Sequence, residues 1–502
     1  TVDWHQRAQQ LIANKRIAYQ AYIDGRYVDA QDGQTFDCIS PIDVALLAKV
    51  ASCSDRDVDA AVSAARHSVA KGTWLSMSPS ARKKILLKFA DLIEQHTEEL
   101  ALLETLDMGK PIRYSLAVDI PAVLKCIRWY AEAIDKLYDE VAPTSRDVLA
   151  TITREPVGVV GIVVPWNFPL LMAAWKFAPA LAAGNSIVIK PSEKSPLTAL
   201  RVAQLATEAG IPDGVFNVVP GLGHVAGKAL ALHMDVDCIA FTGSTVTGKQ
   251  MMQYAGQSNL KRVWLECGGK SAHIVMPDAI TSDGDLDVVA RNAAAAIFFN
   301  QGEMCSAGSR LLVHESIREK LLERIAHHAT QYQPANPLNI NTHLGALVDQ
   351  AQLQSVLSYI HSGIEQGASL RFGGRQIVQD KGCYVEPTLF DSVIPGMRIA
   401  QEEIFGPVLA VMTFKHEAEA IMLANSVIYG LAAGVWTRDV HAAHRISRAL
   451  KAGVVYVNCY DDDDITVPFG GYKQSGFGRD KSLHAFDKYT ELKTTWMRIA
   501  NP

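Results

Sequence analysis

Short apolar runs alternate with longer amphipathic stretches between residues 155 and 270, and this alternation limits the possible folds more than any other feature of the chain. The apolar runs suit buried strands, and the stretches of ~10–15 residues between them suit helices. Gly184 is placed to end the first helix in a left-handed cap, and Ser195 with Pro196 is placed to begin the second. The predicted strands are 159–164, 186–189, 215–219, 238–241 and 263–266. Repeated strand–helix units predict an α/β fold with a doubly wound parallel sheet.

A second α/β run follows residue 270, so we expect two doubly wound lobes. A chain of 502 residues is too long for one ordinary domain. Residues 55–106 are predicted to be helical and to complete the first lobe, while 149–153 alternates like an exposed edge strand. The predicted helices of the second lobe are 285–299, about 316–328, about 347–363 and 439–450, and its strands are 310–314, about 407–414, about 432–436 and 453–457.

Composition is that of a soluble globular protein, with 48% hydrophobic and 20% charged residues. The net charge of −5 and the lack of a basic tract argue against a nucleic-acid partner. Eight cysteines occur singly, without a CxxC or Cys/His cluster, so neither a metal site nor a redox dithiol is predicted. Scattered cysteines and an N-terminus without an apolar signal segment favour a cytoplasmic location.

An uncharged run from 156 to 175 is long enough to span a bilayer. It contains Gly158, Gly161, Pro165 and Pro169, which break it into a strand, a turn and a helix start. The buried strand–turn–helix is the favoured interpretation, and no membrane association is expected.

Two segments carry chemistry. Cys305 follows an alanine-rich helix and is flanked by glycines and small polar residues, not by core hydrophobes. Thirty-nine residues upstream, Glu266 ends an apolar strand just before Gly268 and Gly269. A thiol nucleophile and a carboxylate base, each at the end of an apolar element, indicate covalent catalysis.

With five further motifs, these segments resemble the NAD(P)-dependent aldehyde dehydrogenase superfamily over nearly the whole chain. The motifs are Val-Val-Pro-Trp-Asn-Phe-Pro at 163–169, Lys-Pro-Ser-Glu at 190–193, Phe-Thr-Gly-Ser-Thr at 241–245, Glu-Glu-Ile-Phe-Gly-Pro-Val at 402–408 and Pro-Phe-Gly-Gly-Tyr-Lys-Gln-Ser-Gly at 468–476. The resemblance implies an aldehyde dehydrogenase-like fold and NAD-dependent oxidation of an aldehyde to its acid.

The resemblance implies that Cys305 attacks the aldehyde, giving first a thiohemiacetal and then a thioester. Asn167 and the Cys305 backbone N–H would stabilise the oxyanion, and Glu266 would activate the hydrolytic water. A free thiol with a pKa of ~8.5 needs help to ionise. Glu266, a bound water or Lys176 could provide that help.

The cofactor is expected to be NAD rather than NADP, because the Glu193 carboxylate repels a 2′-phosphate. The junction at 241–245 has the free N–H groups of a phosphate-binding helix start. The nearby 221–227 segment is GxGxxxG, one residue longer than the dinucleotide fingerprint, and a plain helix-start glycine explains Gly223 nearly as well. The resemblance assigns to the cofactor site Val164, Trp166, Lys190, Glu193, Gly223, Phe241, Gly243, Ser244, Cys267, Glu403 and Phe405.

Within the family, the chain is most similar to bacterial γ-glutamyl-γ-aminobutyraldehyde and 4-guanidinobutyraldehyde dehydrogenases of polyamine and arginine breakdown, through 127–136 and 466–485. A pocket for an aliphatic chain is expected. Four aspartates at 461–464 could attract an amino or guanidino group, or could form a solvated loop. A broad-specificity or betaine-type enzyme is the alternative. The expected substrate residues are Phe168, Met172, Trp175, Met304, Ser306 and Phe469.

The resemblance also implies a division of the chain and a homodimer or homotetramer. Residues 1–137 with 157–268 would bind NAD, 269–473 would carry catalysis, and 138–156 with 485–502 would form a β-hairpin oligomerisation element. Arg262, Arg479 and Glu491 would form a buried salt-bridge network behind the active site.

Three other functions are less well supported. A coenzyme A-acylating relative usually lacks the glutamate base, which is present here as Glu266. A non-catalytic protein on this fold would tolerate loss of Cys305, Glu266 or Asn167, and all three are present. A cofactor-free thiol hydrolase would need a histidine partner, and none lies close to Cys305 in sequence.

Overall fold

The computed structural model describes residues 2–14, 16–378 and 380–499. Two large sheets with helices packed against them make up most of it, so the predicted α/β class is confirmed. The expected strand–helix alternation between 155 and 270 is present throughout, and all five predicted strands form.

The first sheet has eight strands. Its five central strands are parallel and almost completely buried, as expected for apolar strands covered by helices on both faces. Antiparallel strands complete both edges. The order across the sheet is Arg26–Val28, Ala21–Ile23, Phe216–Val218, Ser186–Lys190, Val159–Val163, Cys238–Thr242, Arg262–Glu266 and Gly476–Phe477.

Two helix ends test the predicted turn chemistry. Gly184 has φ 101°, so the left-handed cap after helix Pro169–Ala182 is confirmed. The predicted Ser195 cap is wrong, because its hydroxyl has no partner within the described residues. The helix begins instead at Leu197, whose N–H donates to Asp107 Oδ2 at 3.2 Å. A buried carboxylate from a distant helix caps this N-terminus.

The second sheet has seven strands, all of which follow the five parallel strands of the first in sequence. It is parallel except for one antiparallel edge pair. Its order is Ser369–Phe372, Thr388–Asp391, Val408–Phe414, Arg310–His314, Ala272–Val275, Ala432–Trp436 and Val454–Val457. The predicted strands at 310–314, 407–414, 432–436 and 453–457 therefore belong to one sheet.

Helices pack around both sheets. The ends of the predicted helices lie within a few residues of their expected positions. The helix predicted from Gly223 to His233 starts as the π-helical turn Gly223–Gly227. Around the first sheet the helices are Trp4–Ala13, Asp55–Lys71, Pro79–Gln95, Thr97–Met108, Ile112–Tyr114, Ser115–Asp119 (π), Ile120–Ala133, Pro169–Ala182, Leu197–Ala209, Lys228–Leu232 and Thr245–Gln257. Around the second they are Asp283–Phe298, Arg318–Ala329, Gln350–Glu365, Arg398–Gln401, Glu417–Ala424 and Val440–Ala449.

A third sheet lies outside both lobes. Val148–Pro156 pairs with Thr490–Arg498 over nine residues and with the short strand Glu140–Val141 on its other side. The exposed edge strand predicted at 149–153 is thus the middle strand of this sheet. Three residues assigned to this element, 500–502, lie outside the described residues.

The uncharged run 156–175 divides between two strands and the helix Pro169–Ala182, as predicted. Among the described residues, no helix is both long enough and apolar enough to cross a bilayer.

Candidate active site

A sharp turn delivers Cys305 after helix Asp283–Phe298. Asn300 and Gln301 both adopt left-handed backbone conformations, with φ 51° and 59°. At Gly302, φ is 70° and a Cβ would lie 2.1 Å from the Gly406 carbonyl oxygen, so only glycine fits. Left-handed residues that are not glycine are uncommon, and strained segments often occur at functional sites. Tertiary contacts therefore hold the nucleophile turn in a conformation that local preference disfavours.

Cys305 lies half-buried on the wall of a cavity of about 540 Å³. Burial, followed by the charge of the nearby Glu266 carboxylate, raises the pKa of its thiol well above 9. The thiol is therefore protonated before substrate arrives and must lose its proton to react. The Cys305 backbone N–H donates to no group in the described part of the chain, which leaves it free to bind an oxyanion.

Glu266 ends the strand Arg262–Glu266 at the carboxyl edge of the first sheet. Its side chain is buried, and neither carboxylate oxygen has a hydrogen-bond partner within the described residues. Burial raises its pKa from 4.5 to about 7, and the charge of Lys176 opposes the rise. An unpartnered buried carboxylate with a pKa near neutrality has the properties of a general base.

Lys176 makes a buried ion pair with Asp480, with Nζ 2.9 Å from Oδ2. Lys488 contacts the other oxygen of the same carboxylate. Because its ammonium is paired, Lys176 acts on Glu266 through its charge, and no hydrogen bond joins it to Cys305 in the described structure.

Asn167 follows the central strand Val159–Val163, close to the nucleophile turn. Its Nδ2 donates to the Glu303 carbonyl oxygen at 3.0 Å. Asn300 Nδ2 lies 3.2 Å from the Asn167 carbonyl oxygen and 3.0 Å from the same Glu303 oxygen. An amide nitrogen carries two hydrogens, so one remains available beyond the bond to Glu303. These bonds fix the predicted oxyanion donor beside the turn that carries Cys305.

The cavity contains all six predicted substrate residues, Phe168, Met172, Trp175, Met304, Ser306 and Phe469. Sequence reasoning missed most of the other lining residues, which include Tyr114, Asn292, Phe299, Tyr332, Tyr456 and Tyr460. They come from separate helices and loops with no shared motif. The aspartate run gave the only sequence signal for two more of them, Asp461 and Asp463.

Lys190 and Glu193, two of the predicted cofactor residues, lie together at the end of strand Ser186–Lys190. Lys190 is buried, and its Nζ donates to the Pro191 carbonyl oxygen at 2.8 Å and to Glu193 Oε2 at 3.2 Å. Although burial opposes ionisation, the Lys190 ammonium holds the pKa of Glu193 below its ordinary value. The Glu193 side chain is 38% exposed, so its carboxylate can reach a ligand.

The predicted phosphate site fits a dinucleotide. Ser244 caps helix Thr245–Gln257 by accepting from the Thr247 N–H, while the N–H groups of Thr245 and Val246 have no partner within the described residues. At Gly243 a Cβ would lie 2.6 Å from the Phe241 ring, and at Gly223 it would meet nothing within 4 Å. Free N–H groups at a helix start beside open space suit a phosphate.

Glu403, another predicted cofactor residue, lies close enough to Glu266 to feel its charge. Glu403 Oε1 accepts from the Gly269 N–H at 3.2 Å, and a Cβ at Gly268 would lie 2.2 Å from Glu403 Oε2. Burial raises the pKa of Glu403 to about 7. The Phe405 and Trp166 rings lie 5.2 Å apart, edge to face.

Two further predicted cofactor residues are buried beside this region. Val164 directly follows the central strand. Cys267 packs against Gly248, where a Cβ would lie 2.8 Å from its sulfur, and burial raises the pKa of the Cys267 thiol to about 12. Unlike Cys305, Cys267 does not line the substrate cavity.

The salt-bridge network predicted for three residues forms only in part within one chain. Arg262 pairs with Glu491 at 2.8 Å, but the two side chains are 48% and 56% exposed. Arg479 donates instead to the carbonyl oxygens of Gly471 and Gly478. Arg262 begins the last parallel strand of the first sheet and Glu491 lies near the start of Thr490–Arg498 in the third, so this exposed ion pair joins the two sheets.

Comparison with known proteins agrees with this geometry. The model of the aldehyde dehydrogenase family matches residues 27–495. The NADP/NAD-dependent aldehyde dehydrogenase PuuC of Escherichia coli (strain K12) is 54% identical over 496 residues, which cover 99% of this chain and 98% of that protein.

Two crystal structures are also similar. An indole-3-acetaldehyde dehydrogenase in complex with NAD+ is 60% identical, covers 99% of each chain and superposes with a TM-score of 0.96. A γ-glutamyl-γ-aminobutyraldehyde dehydrogenase from Burkholderia cenocepacia J2315 is 57% identical, covers 99% of this chain and 100% of that one, and also has a TM-score of 0.96.

Proposed function

Because this chain belongs to the aldehyde dehydrogenase family and is an NAD(P)-dependent enzyme of that kind, we propose that it oxidises an aliphatic aldehyde bearing an amino, guanidino or γ-glutamylamino group to the carboxylic acid. One observation carries the proposal: a cavity thiol, a free backbone N–H and a buried unpartnered carboxylate adjoin one another at Cys305 and Glu266. These are the groups that acyl formation and hydrolysis require.

Cys305 is the nucleophile. Glu266 takes the thiol proton, directly or through a water, because its pKa of about 7 leaves a large share ionised at neutral pH. The sulfur then bonds to the aldehyde carbon, and the carbonyl electron pair moves to oxygen. The free Nδ2 hydrogen of Asn167 and the Cys305 N–H donate to that oxyanion.

When bound, NAD would supply the acceptor for the hydride of the substrate carbon. Lys190 and Glu193 would hold its adenosine ribose, the helix start at Ser244 a phosphate, and Glu403 the nicotinamide ribose. The Glu193 carboxylate supports NAD over NADP, since it would repel a 2′-phosphate.

Glu266 first releases the thiol proton to solvent. It then takes a proton from water, whose oxygen attacks the thioester carbon. The carbon–sulfur bond then breaks, the acid leaves, and the thiol recovers a proton. The Lys176–Asp480 pair supports this role, because the nearby ammonium keeps the pKa of Glu266 from rising further in its buried site.

The substrate class is supported by the cavity and by a relative. Methylene chains suit walls such as Met172, Trp175 and Phe469, and the carboxylates of Asp461 and Asp463 line the same space. A 57% identical structure is that of a γ-glutamyl-γ-aminobutyraldehyde dehydrogenase. A broad-specificity or betaine-type enzyme is the alternative within the same chemistry.

A second candidate substrate class is the arylacetaldehydes. The rings of Tyr114, Phe299 and Tyr332 line the cavity as well, and flat substrates stack on such walls. A 60% identical structure is that of an indole-3-acetaldehyde dehydrogenase. Comparing kcat/KM for 3-aminopropanal, phenylacetaldehyde and betaine aldehyde ranks the three classes.

Assembly into a homodimer or homotetramer is part of the proposal. In the third sheet, Thr490–Arg498 has one edge without a partner strand in the described chain, and Leu492, Trp496 and Met497 are exposed. An exposed apolar edge strand favours pairing with another copy. We assign 138–156 with 485–499 to this contact, 1–137 with 157–268 to the NAD-binding domain and 269–473 to the catalytic domain.

The mechanism is tested with Glu266→Gln. This variant should release a slowed first burst of NADH whose amplitude equals the active sites, because the thiol loses its proton acceptor. It should then turn over ~100- to 10,000-fold more slowly, because general-base hydrolysis is lost. Cys305→Ser should give neither burst nor turnover. Cys459→Ser is the matched control, since Cys459 is also half-buried but does not line the cavity. Full steady-state turnover by Glu266→Gln would refute the assigned role.

A further inference from the structure

The four consecutive aspartates at 461–464 differ sharply in their surroundings. Asp464 pairs with Lys125 at 2.6 Å, and Asp463 pairs with the buried ammonium of Lys481. Asp462 is exposed and makes no ion pair or hydrogen bond with the described residues. Asp461 is half-buried and lines the substrate cavity. Among the four, Asp461 is the one that faces the cavity without a cation in the described structure.

Two hydrogen bonds tie this loop to the residue that follows the nucleophile. The Ser306 hydroxyl donates to Asp461 Oδ1 at 2.9 Å. The adjacent Tyr460 hydroxyl donates to the Ser306 carbonyl oxygen at 2.7 Å. Asp461 itself has φ 55°, a conformation that aspartate tolerates better than most residues. The carboxylate is therefore held at a fixed place relative to Cys305.

The second carboxylate oxygen of Asp461 lacks a partner. Oδ2 makes no hydrogen bond or ion pair within the described residues. Burial in the cavity wall, together with the charge of the nearby Asp463, raises the pKa of Asp461 to about 7. A carboxylate in such a site is stabilised when a charged donor joins it. The rings of Tyr456 and Tyr460, 5.2 Å apart, also line the cavity and attract cations.

The distance suits a short substrate. The Asp461 carboxylate accepts a hydrogen bond from Ser306, the residue that follows Cys305. Because consecutive Cα atoms lie ~3.8 Å apart, this carboxylate is on the order of 10 Å from the Cys305 sulfur. An aldehyde with a few methylenes between its carbonyl and its nitrogen spans that gap. A longer chain would have to fold or leave the nitrogen in solvent.

We propose that Asp461 is the specificity-determining residue of this enzyme: its carboxylate, oriented by Ser306, binds the cationic nitrogen at the far end of a short amino- or guanidinoaldehyde. This rests on the proposed function, because it assumes that an aldehyde occupies the cavity beside Cys305. It assigns the attraction to one aspartate of the four and gives the other three no contact with substrate.

The test compares two isosteric aldehydes, 3-aminopropanal and butanal, by NADH formation with saturating NAD. Asp461→Asn removes the charge but keeps an oxygen that can accept from Ser306. It should lower kcat/KM for 3-aminopropanal ~10- to 100-fold, mainly through KM, and change butanal less than about 3-fold. Asp462→Asn, the same charge change on the exposed neighbour, should leave both substrates unaffected.

A second variant guards against a purely structural effect. Ser306→Ala removes the orienting hydroxyl and keeps the charge, so the preference for 3-aminopropanal should persist. An equal fall for both substrates in Asp461→Asn would overturn the assignment and leave the proposed mechanism intact. If the wild-type enzyme had the same kcat/KM for butanal and for 3-aminopropanal, the proposed class of cationic substrates would be wrong. If neither aldehyde reduced NAD, the proposed function itself would fail.

Discussion

Glu266 should destabilise the protein at the pH where it works. Its pKa rises from 4.5 to about 7 because the folded chain buries the carboxylate without a partner. At about 1.36 kcal/mol per pKa unit, the ionised form costs roughly 3 kcal/mol more in the folded than in the unfolded state. Since the raised pKa favours the protonated folded form, its contribution to stability is complete below pH 4.5 and is lost as the pH passes about 7.

Glu266→Gln should therefore stabilise the protein at alkaline pH, although it removes the catalytic base. At about pH 8.5 the neutral amide avoids most of the ~3 kcal/mol, so the apparent melting temperature should rise by on the order of 5 °C. At about pH 5 the difference should shrink, because the buried carboxyl is then already neutral. Without Glu266, the pKa of its neighbour Glu403 should also fall, since the charge of Glu266 is one cause of its rise.

The measurement is thermal unfolding of both forms across this pH range without NAD, by calorimetry or scanning fluorimetry at one scan rate. Asp462→Asn, an exposed carboxylate in a surface loop, is the control for general charge removal and should show no such trend. A melting difference between Glu266→Gln and wild type that does not change with pH would refute the reasoning. It would mean that solvent reaches the carboxylate in the folded protein.

Three further outcomes are expected. Asn167→Ala should lower kcat/KM ~100- to 1,000-fold through loss of one oxyanion donor, with little change in the dissociation constant of NAD measured by titration. Glu193→Gln should raise the NADP/NAD ratio of kcat/KM about 10-fold or more, because the charge facing a 2′-phosphate is gone, and an unchanged ratio would contradict the assignment. Trp496→Glu, at an exposed position of the third sheet, should give a smaller species in sedimentation velocity, whereas an unchanged coefficient would exclude this edge as the subunit contact.

The order of strands and helices could be predicted because it depends on residue patterns that are local in sequence. Apolar runs, helix-length spacings and Gly184 depend on backbone geometry within one element, so their positions were found within a few residues. The Ser195 cap failed because a better acceptor, Asp107, arrives from another helix. The residues around position 195 give no indication that Asp107 binds this helix N-terminus.

The same limit holds for the site. Cys305 and Glu266 could be predicted from sequence as nucleophile and base, because small residues beside a cysteine and glycines after a carboxylate are local signals. Part of the aromatic wall was predicted, through Phe168, Trp175 and Phe469. The other aromatic residues, such as Tyr114, Phe299 and Tyr456, were missed, since they meet only after distant segments fold together.

The sequence by itself determined the fold class, because turn residues and apolar periodicity act over a few positions. Its motifs indicated a candidate nucleophile and base, and its resemblance to a known family implied the cofactor. Only the tertiary structure decided how each charge is neutralised. Lys176 pairs with Asp480, and Glu266 has no hydrogen-bond partner within the described residues. Asp463 and Asp464 each pair with a lysine, whereas Asp461 faces the cavity. Burial and long-range pairing set the free energy of a charge, and both depend on which distant side chains share its space.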